Sequence, residues 1–171
     1  MFCMHFAHTE EQMVCLKQGA GQKGDHGIME NHTVKLLQEC SQGCKMGIKS
    51  MNQVLDYVSD VKLRKIIDQY KAEHRKIEAE ADKLLMHHGQ DSKPPEMMAT
   101  AMSWISTEMK MMMHDDDKQV AKIMMDGCNM GIQSICGFIN QYAGASASSV
   151  GLAKDLIKME ENFRDELKKY V

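Results

Sequence analysis

The side chains with chemistry to offer are thiols, thioethers, imidazoles and carboxylates. The chain has 6 cysteines, 18 methionines and 8 histidines in 171 residues. Cys40 and Cys44 stand in C-x-x-x-C spacing, which puts both thiols on one face of a helix. With Cys128 and the nearby Met46, Met51, Met124, Met125 and Met130, they form a soft sulfur donor set of the kind that suits Cu(I). The same residues also read as core filling, because free cysteine behaves as a small hydrophobe and methionine fills gaps. His74, Glu78, Glu108 and Glu160 are the harder donors and could hold Fe, Mn or Zn. Against that stands a plain hydrogen-bonded pair in the core, since buried polar groups are usually satisfied this way. His5 and His8 have a metal-compatible spacing but, like Cys3 and Cys15, sit in a stretch without an ordered scaffold. His87 and His88 close a helix at its negative end. There is no Gly-rich phosphate loop, nucleophile elbow, C-x-x-C or basic-aromatic strip.

One pattern occurs twice. Gly43-Cys44-Lys45-Met46-Gly47-Ile48-Lys49-Ser50 returns 84 residues later as Gly127-Cys128-Asn129-Met130-Gly131-Ile132-Gln133-Ser134. The shared form is G-C-x-M-G-I-x-S. A glycine inside a helix costs about 1 kcal/mol relative to alanine. Two glycine pairs at equivalent places therefore need a cause. Close backbone approach is the expected one, either between the two repeated helices or between subunits. Gly43, Gly47, Gly127 and Gly131 are thus expected to be packing residues. Composition left over from a duplication is the other explanation.

Periodicity supplies the elements that must position these groups. A first helix is expected over 31–58, capped by Asn31. Val34, Leu37, Ser41, Cys44, Ile48, Met51, Leu55 and Val58 form its core seam. Leu36, Cys40, Gly43, Gly47, Ser50 and Val54 form a second stripe beside it, so the helix should pack on two neighbours. After the short turn Ser59-Asp60, a second helix over 60–88 runs antiparallel, with Leu63, Ile67, Tyr70, His74, Ile77, Ala81, Leu84 and His88 inward. Gly89 ends it. A third helix over 96–114 would be ~28 Å long. It carries seven methionines around its circumference, from Met97 to Met113, with Trp104 and Ile105 as anchors. Such a surface suits self-association or a protein partner.

The fourth helix, over 118–142, repeats the first. Ala121, Met125, Cys128, Ile132, Ile135, Ile139 and Tyr142 form its seam. Val120, Met124, Gly127, Gly131, Ser134 and Phe138 form its second stripe. Ser148 or Ser149 caps a fifth helix over 149–170. Aligning the hairpins pairs Tyr70 with Leu156, His74 with Glu160, Ile77 with Phe163 and Ala81 with Leu167. The helix over 96–114 has no counterpart and reads as a long crossover.

Composition agrees with an all-α domain. Prolines number 2 and aromatics are 5% of the chain, while strong helix formers abound. Formal net charge is -3 with both signs interspersed, which disfavours a nucleic-acid or membrane-surface partner. No apolar run is long enough to span a bilayer. Six cysteines in a chain of this size read as reduced thiols in a cytoplasmic protein. The first 28 residues lack a helical stripe and read as a loosely structured arm. Lys23-Gly24-Asp25 can be encoded by a purine-rich run like a bacterial ribosome-binding site, so translation starting at Met29 is also open.

A hairpin duplicated around a long crossover resembles the ferritin-like four-helix bundle. Leu36-Leu37-Gln38-Glu39-Cys40, continuing through Gly43 to Asp60 and Leu63, is similar to an uncharacterised bacterial ferritin-like family of unknown function. The likeness covers about 31–85 and, more faintly, the second half. It implies a bundle and no particular activity. Ferritin-like di-iron sites use Glu-x-x-His on two of the helices. No Glu-x-x-His occurs here: Lys71 stands three before His74, and Met111 three before His114. The leading expectation is a non-enzymatic bundle without a resident cofactor, acting through packing or association. A Cu(I) or Fe/Mn/Zn-binding bundle is the alternative.

Overall fold

The computed structural model describes residues 26–90 and 116–171, which form four α-helices and no strands. They are α1 (His26–Val54), α2 (Val61–His87), α3 (Asp117–Gln141) and α4 (Ala147–Leu167). The expected helix over 96–114, with its methionines, Trp104, Ile105 and Glu108, lies outside the described residues. So do Cys3, His5, His8 and Cys15.

α1 starts at His26, five residues before the expected cap at Asn31. Its first turns, from Gly27 to Asn31, are exposed. Exposure leaves no hydrophobic stripe to mark them, and Thr33 Oγ1 donates to the Met29 carbonyl at 2.9 Å within them. At the far end the chain tightens into a 3-10 turn, Leu55–Tyr57, before Val58 turns extended. Both expected stripes of α1 are inward: Leu37, Ser41, Cys44 and Met51 on one, and Leu36, Cys40, Ser50 and Val54 on the other.

α2 begins at an Asp60 cap whose carboxylate accepts from Lys62 N at 2.7 Å and Leu63 N at 2.8 Å. Leu63, Ile67, Tyr70, His74 and Ala81 are buried as the seam requires, but the seam then passes to Leu85, and Leu84 is only half-buried. Gly89 follows at φ +66°, the left-handed conformation that ends helices. α3 is capped by Asp116, which accepts from Gln119 N at 3.1 Å. α4 is capped by Ser146 and not by Ser148 or Ser149 as expected. Ser149 N donates to Ser146 Oγ at 3.3 Å, and Ser149 is fully buried in the first turn. α4 ends at Leu167, and 168–170 form a 3-10 turn.

Contacts at the two ends fix the directions. At one end, the Asp117 carboxylate accepts from Ser59 N, Ser59 Oγ and Asp60 N at 2.5–3.1 Å, so α3 starts where α1 finishes. At the other, Gly144 N donates to His32 Nδ1 at 3.2 Å and Ser146 N to Thr33 Oγ1 at 2.8 Å. His88 also comes within 3.8 Å of Glu30 there. α1 and α4 therefore run one way, α2 and α3 the other. All four helices contribute to one core, which includes Leu36, Cys44, Leu63, Ile67, Ile123, Cys128, Leu156 and Phe163. Among the described residues no helix is long and apolar enough to cross a membrane.

Candidate functional site

The two copies of G-C-x-M-G-I-x-S face each other across a gap. Their second stripes, Gly43, Gly47 and Ser50 on α1 with Met124, Gly127, Gly131, Ser134 and Phe138 on α3, line a groove of about 480 Å³. Met46 and Met130 stand at its edge, Met130 being 45% exposed. Walls of glycine, methionine, Ile135, Leu156 and Phe163 make it chiefly apolar. Its polar side chains include Glu39, Gln42, His74 and Glu160.

Among the described residues, a Cβ on these glycines would meet side chains or nothing, and not the backbone of the facing helix. A Cβ on Gly127 would meet nothing within 4 Å, and one on Gly43 would just reach Ile135 Cδ1 at 4.0 Å. The second glycine of each copy makes room for a side chain instead of a helix. A Cβ on Gly47 would lie 2.8 Å from His74 Cδ2 and Nε2. A Cβ on Gly131 would lie 3.3 Å from Glu160 Oε1. These two seats hold His74 and Glu160, which both line the groove.

His74 is 1% exposed and both its nitrogens are engaged. Nδ1 donates to the Tyr70 carbonyl at 2.8 Å, since a carbonyl can only accept. Nε2 meets Glu160 Oε1 at 3.0 Å. Burial pushes the imidazole towards neutrality. The Glu160 carboxylate, by hydrogen bond and by charge, together with the Tyr70 carbonyl, outweighs that and holds its pKa above the ordinary value. The hydrogen bond to Glu160 thus favours the charged imidazole. The Tyr70 ring stacks on Phe163 at 4.5 Å, and its hydroxyl donates to Glu166 at 2.9 Å. That packing closes the α2/α4 side of the molecule behind the pair.

The thiols of Cys40, Cys44 and Cys128 are buried, and burial raises the pKa of each. Burial, and then the Glu39 charge, push Cys40 up to about 12. Cys44 is raised by burial and by Cys40, Glu160, Glu78 and Asp82. Cys128 is raised by burial and by Glu160, to which its thiol is hydrogen-bonded. A nucleophilic cysteine needs a base or positive charge that lowers its pKa. Here the Cys128 thiol faces Glu160, whose charge raises its pKa, so the site does not activate sulfur.

Of the expected ligands, His74 and Glu160 come together and Cys128 joins them at Glu160. Cys40 and Cys44 lie in the same core. Glu78 is turned to Lys45 at 3.9 Å, alongside Asp82 at 3.7 Å. Among the described residues, no group of three or more His, Cys, Asp or Glu side chains is arranged to hold a metal ion. The groove itself was missed. Its signal was the second stripe of small residues, which periodicity registers as inward-facing without saying whether a neighbour fills the space. Glu39 was missed as well; it lines the groove, and burial raises its carboxyl.

Comparison of the chain with family models, curated proteins and solved structures gives no match.

Proposed function

We propose that this chain is a non-enzymatic, cytosolic helical bundle of the ferritin-like kind without a di-iron ligand set, and that it acts by accepting an apolar helix in the groove between α1 and α3. The groove carries this reading. It is long, chiefly apolar and walled by glycines, which suits a helix laid along it. The two glycine seats, Gly47 for His74 and Gly131 for Glu160, favour a duplicated hairpin as its origin. His74 and Glu160 are hydrogen-bonded to each other, and burial raises the Cys40, Cys44 and Cys128 thiols, which speaks for structure over catalysis.

Filling the groove tests this. Gly43→Leu and Gly127→Leu place a side chain where the present walls leave space, whereas Gly137→Leu lies outside the groove on an exposed turn of α3. The two groove variants should lose helical ellipticity or change solution mass as the held helix is expelled, and Gly137→Leu should do neither. If the groove variants match the wild type in both measurements, the reading fails.

The alternative remains a metal-binding bundle, with Cu(I) at Cys40, Cys44 and Cys128 or Fe, Mn or Zn at His74 and Glu160. Metal analysis of protein purified without a His tag, with a Cu(I) titration followed by thiolate absorbance, separates the two. We expect no stoichiometric metal; one bound equivalent would favour the alternative.

A further inference from the structure

The groove is apolar along its middle and acidic at one end. Glu39 is the first residue of α1 to line it, and Phe138 the last of α3. The two helices run antiparallel, so these side chains share an end. Gly43 and Gly47 stand four and eight residues beyond Glu39, or ~6 and ~12 Å along the axis. On α3, Gly131 stands seven residues before Phe138, ~10 Å away. A helix laid in the groove therefore meets glycine on both walls, and a carboxylate one to two turns from that gap.

Charge along the groove has one sign. Its lining holds two carboxylates, Glu39 and Glu160, and no lysine or arginine among the described residues. Glu160 is compensated, since Oε1 meets His74 Nε2 at 3.0 Å and the Cys128 thiol is bonded to it. At Glu39, burial raises the carboxyl, and no charge or hydrogen bond among the described residues offsets that. Lys35, one turn before it, stands over the Tyr142 ring at 6.0 Å. Lys45 faces Glu78 at 3.9 Å and Asp82 at 3.7 Å.

Covering such a carboxylate selects the partner. A helix that seals the groove strips the remaining water from Glu39, which costs free energy unless a charge or donor replaces it. An acidic or purely apolar helix has none to offer, whereas a lysine or arginine does. Phe138, stacked with Tyr142 at 6.2 Å, adds aromatic surface at the same end, which also favours a cation.

We propose that the groove between α1 and α3 takes an apolar helix with one basic side chain, which pairs with Glu39 while a bulky apolar residue about one to two turns away fills the gap between the glycines. This rests on the helix-accepting reading of the groove and adds the chemistry of its partner.

Labelled peptides of alanine and leucine, about fourteen residues or ~21 Å as a helix, serve as probes. They carry a single lysine, glutamine or glutamate one turn from a central leucine, and share an uncharged polyethylene glycol tail. Fluorescence anisotropy with the full-length protein should show the lysine peptide binding several-fold tighter than the glutamine peptide, with the glutamate peptide weakest. Raising the salt should narrow these differences. Glu39→Gln should bring the lysine and glutamine peptides to equal affinity. Gly127→Leu should weaken both, and Gly137→Leu neither. Equal binding of the two peptides to the wild type would overturn the proposal, as would a lysine preference that survives Glu39→Gln. In either case, weaker binding in Gly127→Leu would leave the helix-accepting groove standing without its charge preference. Binding that Gly127→Leu does not weaken would be adventitious and would sink both readings. No binding of any peptide would sink the basic-helix partner, and the groove reading with it unless Gly43→Leu and Gly127→Leu still change ellipticity or solution mass.

Discussion

At Gly47 the His74 ring occupies the volume into which a side chain would project. The 2.8 Å clearance is to a ring that is 1% exposed and bonded at both nitrogens, so it cannot swing aside. Gly47→Ala should therefore lose about 1–2 kcal/mol, an overpacking penalty partly offset by alanine's better helix propensity. Gly127→Ala meets nothing within 4 Å and should gain up to ~1 kcal/mol. Gly131→Ala should fall between, because a carboxylate at 3.3 Å can give more easily than a ring. Urea midpoints of the three variants check the order, and a Gly47→Ala as stable as Gly127→Ala would refute it. The pair also gives a pH dependence of known sign. The folded pKa of His74 lies above its ordinary 6.5, so its contribution is complete below that value and is lost as pH rises through the folded pKa. Melting temperature should fall from mildly acidic towards alkaline pH by more in the wild type than in His74→Gln, and parallel curves would contradict this. His74 opposite Glu160 was legible, since aligning the two hairpins pairs them. The purpose of the glycines was not, because a missing side chain is silent about which neighbour needs the space.

Helix ends show where local signals carry and where they do not. Asp60, Asp116 and Gly89 act in the roles their types announce, because capping uses atoms within four residues. The start of α1 defeated the same reasoning, since its exposed first turns depend on nothing periodic. Ser146 won the cap of α4 over Ser148 and Ser149 through a partner 113 residues away, Thr33, which fixes its backbone. Asp117 is the long-range case with the most consequence. Burial works against its charge, but Ser59 and the Ser59 and Asp60 amides, with Arg64 nearby, hold its pKa below the ordinary carboxylate value. Arg64 in turn donates to the Leu55 and Val58 carbonyls at 2.8 and 2.9 Å, so one cluster ends α1, starts α2 and starts α3. A depressed carboxyl stabilises above its unfolded pKa and loses that effect as pH falls through the folded one. Asp117→Asn should cost about 1–2 kcal/mol at neutral pH and make little difference in strong acid. Equal losses at both pH values in thermal unfolding would rule this account out.

At the scale of the whole molecule, the described helices are joined at two ends and leave a groove between α1 and α3. The four described helices were legible because each seam is long and periodic, and the short Ser59-Asp60 turn leaves α2 no choice of neighbour. The groove was not, since it depends on how far apart α1 and α3 stand when glycine allows either contact or a gap. The two fastenings should then act independently. Thr33 is 3% exposed, and its hydroxyl accepts from Ser146 N and donates to the Met29 carbonyl. Thr33→Val keeps the shape but leaves the part-buried Ser146 N–H without its partner, a loss of about 1 kcal/mol. It lies more than twenty residues of α1 from the Asp117 cluster, roughly 35 Å along the axis. Sites that far apart add when the protein unfolds in one step. The Thr33→Val/Asp117→Asn double variant should thus lose the sum of the single losses to within about 0.5 kcal/mol, with a single transition in ellipticity and calorimetry. A shortfall well beyond that margin, or a split transition, would mean that the two ends unfold as separate units and that α1 does not couple the hairpins through one core.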